Sequence, residues 1–250
     1  ILCGGLGTRM KEETEFKPKP MVQVGGKPLL WHIMKLYSRF GYRDFILCLG
    51  YKGEMIRDYF LNYRLMTHDF SINLHTQNEK ITNGSDIEDW NITFVDTGLE
   101  TNTGGRIKRI EKYITDENFF LTYGDGVSDV NIEKLYAHHL SNKKIATLTS
   151  VQPMSKFGVL EFDNDGIVQS FKEKPKLDGW INGGFFVCNK KVFDYLDDFC
   201  VFEEGPLRKL SSEKQLVAYA HSGNWECMDT FKDVQRLNQL WDSGSAFWNK

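Results

Sequence analysis

The sequence predicts an α/β fold with a mixed, mainly parallel sheet flanked by helices and a smaller antiparallel subregion. Three observations carry this. Short apolar runs such as Asp44 to Leu49 and Phe119 to Tyr123 have the continuous hydrophobicity of strands buried on both faces. Segments with helical period separate them, which is the strand–helix alternation of a parallel sheet covered on both sides. From Gly158 onward the texture changes to strand–turn–strand, with Asn164-Asp165-Gly166 as the turn signal.

In order, the chain opens on Ile1-Leu2-Cys3, without Met, and this reads as a first strand met part-way through. Glycines Gly4, Gly5 and Gly7 end it. Met21 to Gly26 reads as a short extended segment closing in a Gly-Gly turn, and Pro28 suits the first turn of a helix. Leu29, Leu30, Ile33, Met34, Tyr37 and Phe40 recur at helical spacing up to a stop at Gly41, with His32 as a packing or surface residue. Asp44 to Leu49 is a strand, Glu54 to Tyr63 a helix and Asn91 to Val95 a strand. Between them, residues 64–90 read as an insertion or flap, with Ser71 to Leu74 as a short strand and Asn83-Gly84 as a turn. A loop from Asp96 to Gly105 leads to a helix bearing Arg106, Lys108, Arg109 and Lys112. Phe119 to Tyr123 and Ile145 to Val151 are strands around a helix from Asn131 to Ser141, capped by Asn131. Later come the Gly158–Phe171 hairpin, strands at Trp180 to Val187, Gln215 to Ala220 and Asn224 to Cys227, and a helix from Phe231 to Trp241. The Phe247-Trp248 tail is apolar enough to pack on a neighbour.

Composition narrows the function. A formal charge of −3 argues against a general nucleic-acid binder, so any phosphate-gripping residues must be local. Five scattered cysteines without a Cys-x-x-Cys pair argue for reduced thiols, with neither zinc nor a disulfide framework. No apolar run approaches the length of a membrane span and no leader pattern is visible, so a cytoplasmic protein is expected.

The candidate site begins at Gly4-Gly5-Leu6-Gly7-Thr8-Arg9. Glycines admit close backbone approach, and successive N–H groups in such a turn cradle anions. Arg9 adds a planar fork and Lys19 a compact charge. The spacing fits neither a P-loop, because Gly7 is followed by Thr8-Arg9, nor the dinucleotide fingerprint, because Met10 stands where a third glycine belongs. Asp125 lies between glycines at the carboxyl end of a strand, which suits either an Asp-Gly turn or a Mg²⁺ ligand beside substrate phosphates. Asp229 suits either a helix N-cap or a second carboxylate for that ion. Arg106, close after Gly104-Gly105, offers a second anion contact.

Taken together, Gly4 to Arg9, Lys17-Pro18-Lys19-Pro20-Met21, Tyr123-Gly124-Asp125-Gly126, Glu173-Lys174-Pro175, Asn182-Gly183-Gly184-Phe185 and Met228-Asp229-Thr230 resemble, in that order, the sugar-nucleotide pyrophosphorylases. The variants Gly25 to Met34, Val95-Asp96-Thr97-Gly98 and Thr103-Gly104-Gly105-Arg106 are similar to the branch that transfers a cytidylyl group to glucose 1-phosphate. The resemblance implies a Rossmann-like fold of the nucleotide-diphospho-sugar transferase type, with the antiparallel subregion binding sugar. It implies one domain over 1–250, in which 1–150 mainly binds nucleotide and 151–250 mainly sugar phosphate. CTP and glucose 1-phosphate would be substrates, Mg²⁺ the cofactor, and CDP-glucose and pyrophosphate the products. Such a product feeds deoxysugar and surface-polysaccharide synthesis, and a homo-oligomer is expected.

Carried over residue by residue, Leu2, Cys3, Gly4, Gly5, Leu6, Gly7, Thr8 and Arg9 would wrap the CTP base and phosphates. Arg9 would hold the departing pyrophosphate and Lys19 the α-phosphate. Thr103, Arg106 and Gly124 would help position the nucleotide. Asp125 and Asp229 would hold Mg²⁺. Glu173 would bind glucose hydroxyls, Lys174 the sugar phosphate, and Asn182 and Gly183 the pyranose. Arg9, Lys19, Asp125 and Lys174 would carry catalysis. Uridylyl or thymidylyl transfer, and nucleotide-sugar binding without catalysis, remain the alternatives.

Overall fold

The computed structural model describes residues 1–7, 10, 14–82, 87–155 and 157–250. The first residues of the chain lie in the middle of the main sheet. Leu2 bridges in parallel to both Cys48 and Tyr123, with Cys3 N donating to Cys48 O at 3.0 Å and Leu2 N to Thr122 O at 3.0 Å. On one side of this segment lies β3 (Asp44–Leu49), paired in parallel with β6 (Asn91–Asp96). On the other lies β7 (Asn118–Thr122), followed outward by β12 (Ile181–Asn189), β9 (Ala146–Val151) and β13 (Leu216–His221). β12 runs antiparallel to both of its neighbours, while β13 is parallel to β9. The sheet is therefore mixed and mainly parallel, with β12 as its reversed strand.

Strand alternation divides the core between two faces. Phe45, Leu47 and Leu49 of β3 and Phe185 and Val187 of β12 point to one face, where α1 (Leu29–Arg39) and α7 (Phe231–Asp242) pack. Cys48, Phe186 and Cys188 point to the other, against Ile107 of α4 (Thr103–Arg109) and Leu207 and Leu210 of α6 (Pro206–Ser212). Burial on both faces explains why these strands read as continuous apolar runs. Asn131 caps α5 (Ile132–Asn142), its side chain accepting from Lys134 N at 2.9 Å.

The structure corrects several expectations. The strands expected to form a separate antiparallel subregion are divided: β12 and β13 join the main sheet. Outside it stand the arm of β10 (Val159–Phe162) and β11 (Val168–Lys172), and the pair of β8 (Gly126–Ser128) with β14 (Trp225–Cys227). β1 (Gln23–Val24) and β2 (Lys27–Pro28) pair antiparallel just before α1, and α2 (Gly53–Leu61) follows β3. Beyond it, α3 (Tyr63–Thr67) runs into the 64–90 segment, which holds a hairpin of β4 (Phe70–Asn73) and β5 (Asn78–Ile81). That hairpin turns before Gln77, at φ 57, while the expected Asn83-Gly84 turn lies outside the described residues. Thr103, Gly104 and Gly105 open α4 rather than ending a loop, and the two glycines admit the chain at Asp198 and Cys200 against the helix: a Cβ on Gly105 would sit 2.3 Å from Asp198 O. Trp248 packs on its own chain, 2% exposed beside His32. No helix among the described residues is long and apolar enough to cross a membrane.

Candidate active site

The carboxyl ends of the parallel strands open onto a cavity of about 440 Å³. Leu2, Cys3, Gly4, Gly5 and Gly7 form one wall, Thr101 to Thr103 with Arg106 and Glu203 another, and Lys19, Tyr123, Gly124, Asp125 and Asp229 the floor. A second cavity of about 220 Å³ adjoins it, lined by Asn182, Gly183, Gly184, Trp225 and Cys227. Tyr123, Asp125 and Asp229 line both.

Where the cavities meet, charge is concentrated. Lys19 Nζ donates to Asp125 Oδ2 at 2.8 Å and to Asp229 Oδ1 at 2.7 Å. β7 delivers Asp125 just past its end, and Asp229 lies between β14 and α7. Burial alone would depress the Lys19 pKa, but the charge of Asp125 and the hydrogen bonds to both carboxylates outweigh it and raise it. Asp229 is not the cap of α7. Thr230 takes that place, in a capping box with Asp233, which leaves the Asp229 carboxylate to meet Lys19. One oxygen each from Asp125 and Asp229 and the Cys227 sulfur lie within 4.8 Å of one another. Two carboxylates already hold one positive charge, so the donor set fits a hard divalent cation. The Cys227 thiol is raised by burial and then by both carboxylates, which makes it a poor ligand at neutral pH.

Arg106 lies lower than expected. It is 4% exposed, and its guanidinium donates to the carbonyls of Gly4 (3.0 Å), Leu49 (3.1 Å), Gly98 (2.7 Å) and Leu99 (3.0 Å) and to Thr97 Oγ1 (2.7 Å). Instead of presenting a fork to an anion, it clamps the glycine loop from beneath. Thr103 faces the cavity with its hydroxyl bonded to Glu203 Oε2 at 2.7 Å.

Other expected residues scatter. Leu6 is half exposed and lines neither cavity. Glu173 and Lys174 follow β11 on the exposed arm, 3.3 Å from each other, and line neither cavity. Asn182 and Gly183 line the smaller cavity as expected. Thr8 and Arg9 lie outside the described residues. Tyr123, Glu203, Trp225 and Cys227 were missed. Cys227 and Tyr123 each stand two residues before an aspartate, a spacing that puts side chains on one face of an extended chain and could have flagged them. Nothing in the sequence around Glu203 marks it.

A glycine-walled cavity at strand ends, floored by paired carboxylates and a lysine, suits a nucleoside triphosphate. Residues 1–246 match the family model described as nucleotidyl transferase. This chain belongs to that family. As a nucleotidyl transferase it is 49% identical over 251 residues to a glucose-1-phosphate cytidylyltransferase of Salmonella typhimurium, an alignment covering 99% of this chain and 97% of the relative. It is 46% identical to a probable glucose-1-phosphate cytidylyltransferase of Bacillus subtilis, again over 99% and 97%. Among solved structures, HddC from Yersinia pseudotuberculosis superposes with a TM-score of 0.70 at 26% identity, covering 96% of this chain and 97% of that one.

Proposed function

We propose that this nucleotidyl transferase moves the cytidylyl group of CTP to α-D-glucose 1-phosphate, releasing pyrophosphate and forming CDP-glucose. The observation that carries this is the Lys19 bridge between Asp125 and Asp229, set where a larger glycine-walled cavity meets a smaller one. The larger cavity takes the nucleotide and the smaller the sugar. The relatives named above support the choice of base and sugar.

A phosphate oxygen of glucose 1-phosphate attacks the α-phosphorus in line, and the bond to the departing pyrophosphate breaks. No covalent enzyme intermediate is needed, so the protein supplies alignment and charge. The backbone N–H groups of the Gly4–Gly7 loop receive phosphate oxygens. Lys19 turns from the carboxylates to the α-phosphate, and Arg9 takes the pyrophosphate. Asp125 and Asp229 would hold Mg²⁺, which would supply neutralisation of phosphate charge when bound. Asn182 and Gly183 receive the pyranose. Glu173 and Lys174, on the exposed arm after β11, are assigned to the sugar and its phosphate on the strength of the family resemblance. Residues 1–150 mainly serve the nucleotide and 151–250 mainly the sugar phosphate, with Asp125 and Asp229 lining both cavities. The exposed Met66, Phe70, Ile72 and Leu74 of the 64–90 insertion support assembly into a homo-oligomer. The setting proposed is cytoplasmic, in polysaccharide precursor synthesis.

The test is pyrophosphate release with glucose 1-phosphate, Mg²⁺ and CTP, UTP, dTTP or GTP in turn. CTP is expected to lead by orders of magnitude; turnover with UTP but not CTP would end the cytidylyl reading.

A further inference from the structure

Glu203 has no part in the mechanism above, yet from the larger cavity its carboxylate holds Tyr123, which lines both. Oε2 accepts from Thr103 Oγ1 at 2.7 Å, and Oε1 accepts from the Tyr123 hydroxyl. Tyr123 lines both cavities, and its phenol oxygen accepts from Asn182 Nδ2 at 3.1 Å. Asn182 Oδ1 accepts from Gly184 N at 2.8 Å.

Each bond in this chain has a forced direction. A carboxylate only accepts, so the phenol gives its single proton to Glu203. The phenol lone pairs then face Asn182, which must offer N–H. The Gly184 N–H only donates, so it holds the amide oxygen on the opposite side and the amide cannot flip. One N–H of Asn182 is left over, and Asn182 lines the smaller cavity. Burial, and next the Glu203 charge, raise the Tyr123 pKa and keep the phenol protonated.

We propose that Glu203 is a positioning residue that fixes, through Tyr123, Asn182 as a hydrogen-bond donor in the sugar-side cavity, so that the site selects an accepting sugar oxygen. This rests on reading the smaller cavity as the sugar 1-phosphate site. A merely structural Glu203 would brace the chain near Phe202 against Thr103, and Tyr123 would be incidental to it.

A double-mutant cycle separates the two roles. Glu203→Gln keeps the shape but offers an N–H, so the phenol can turn round. We expect KM for glucose 1-phosphate to rise about tenfold, with kcat and KM for CTP moving less than about twofold, the size of one hydrogen bond. In a Tyr123→Phe background the same change should add nothing, because the relay is already cut. Additive effects, or an equal rise in KM for CTP, would overturn the proposal. The wild-type protein gives a second measurement that needs no variant. With deoxy and deoxyfluoro glucose 1-phosphates compared one position at a time, one position should lose affinity as deoxy and regain it as fluoro, because fluorine accepts but cannot donate. No such position would also overturn it. Wild-type turnover of CTP with glucose 1-phosphate is measured in the same series. Its absence sinks the functional reading, whereas turnover with additive variants sinks the Glu203 relay alone.

Discussion

The Arg106 guanidinium lies directly beneath Gly4: Nη2 donates to the Gly4 carbonyl at 3.0 Å, and a Cβ on Gly4 would sit 2.1 Å from Nη1. The glycine loop therefore rests on a buried cation whose other donors are committed to Leu49, Thr97, Gly98 and Leu99. Arg106→Met would leave those acceptors buried and unpaired. The expected loss is about 2–4 kcal/mol of stability, together with weaker CTP binding. Urea unfolding and calorimetric titration read the two effects. Wild-type stability in the variant would remove the clamp.

Gly4→Ala probes the same contact from the other side. The added methyl has no room unless the guanidinium withdraws, so the loop should lift and KM for CTP should rise about tenfold or more. The variant should gain activity when Arg106 is shortened to Lys, which makes space. If Gly4→Ala binds CTP normally, the close approach seen here is not needed for function.

On the proposed reading, Lys19 would compete with the cation it assists. Its ammonium occupies the oxygens of Asp125 and Asp229 that a divalent ion would use. Lys19→Met should therefore bind Mn²⁺ more tightly in the absence of substrate, read by electron paramagnetic resonance. Turnover should nonetheless fall by about 10²–10³, the scale of losing one preorganised charge at a reacting phosphate. Weaker Mn²⁺ binding in Lys19→Met would show that the lysine does not hold the cation's place.

Asp125→Ala should abolish Mg²⁺-dependent turnover and leave the fold intact, because the residue lies past the end of β7 and outside both core clusters. Near-normal turnover in that variant would overturn the cation assignment.

Legibility in the sequence followed how local each feature is. β3 is visible because both its faces are buried, so every position from Phe45 to Leu49 is apolar. Asn131 is visible because its cap partner, Lys134 N, lies three residues on. Thr230 as the cap of α7 was equally available from its spacing to Asp233, and reading it would have released Asp229 for the site. The fate of Arg106 was not readable, because its acceptors come from the chain near Gly4, Leu49 and Gly98, which only tertiary folding brings together. Glu203 was hidden for the same reason: its partners Thr103 and Tyr123 stand 100 and 80 residues away. The fold class followed from periodicity, and the ordered motifs were legible through their resemblance to a family. The buried polar contacts that set the site did not.

His32 gives the protein a pH dependence remote from the site. It is 1% exposed in α1, between Val24 and Trp248. The Val24 carbonyl can only accept, at 2.8 Å from Nε2, and the Trp248 indole can only donate, at 3.3 Å from Nδ1. The ring is therefore neutral, with its proton on Nε2. Burial, the largest influence, lowers its pKa from 6.5 to about 4. The unfolded chain thus binds a proton more readily than the folded one between those values. Stability is full above the unfolded pKa and is lost as pH falls through 6.5 toward 4, by on the order of 3 kcal/mol at the lower end. Protonation places a hydrogen on Nδ1, facing the Trp248 N–H, so the two donors must part and the 247–250 tail should release from α1. Urea unfolding across this range should show the slope, and His32→Gln should flatten it while lowering stability at neutral pH. Trp248 fluorescence should shift in step with the wild-type transition. A wild-type profile as flat as that of His32→Gln would show that His32 titrates alike in both states.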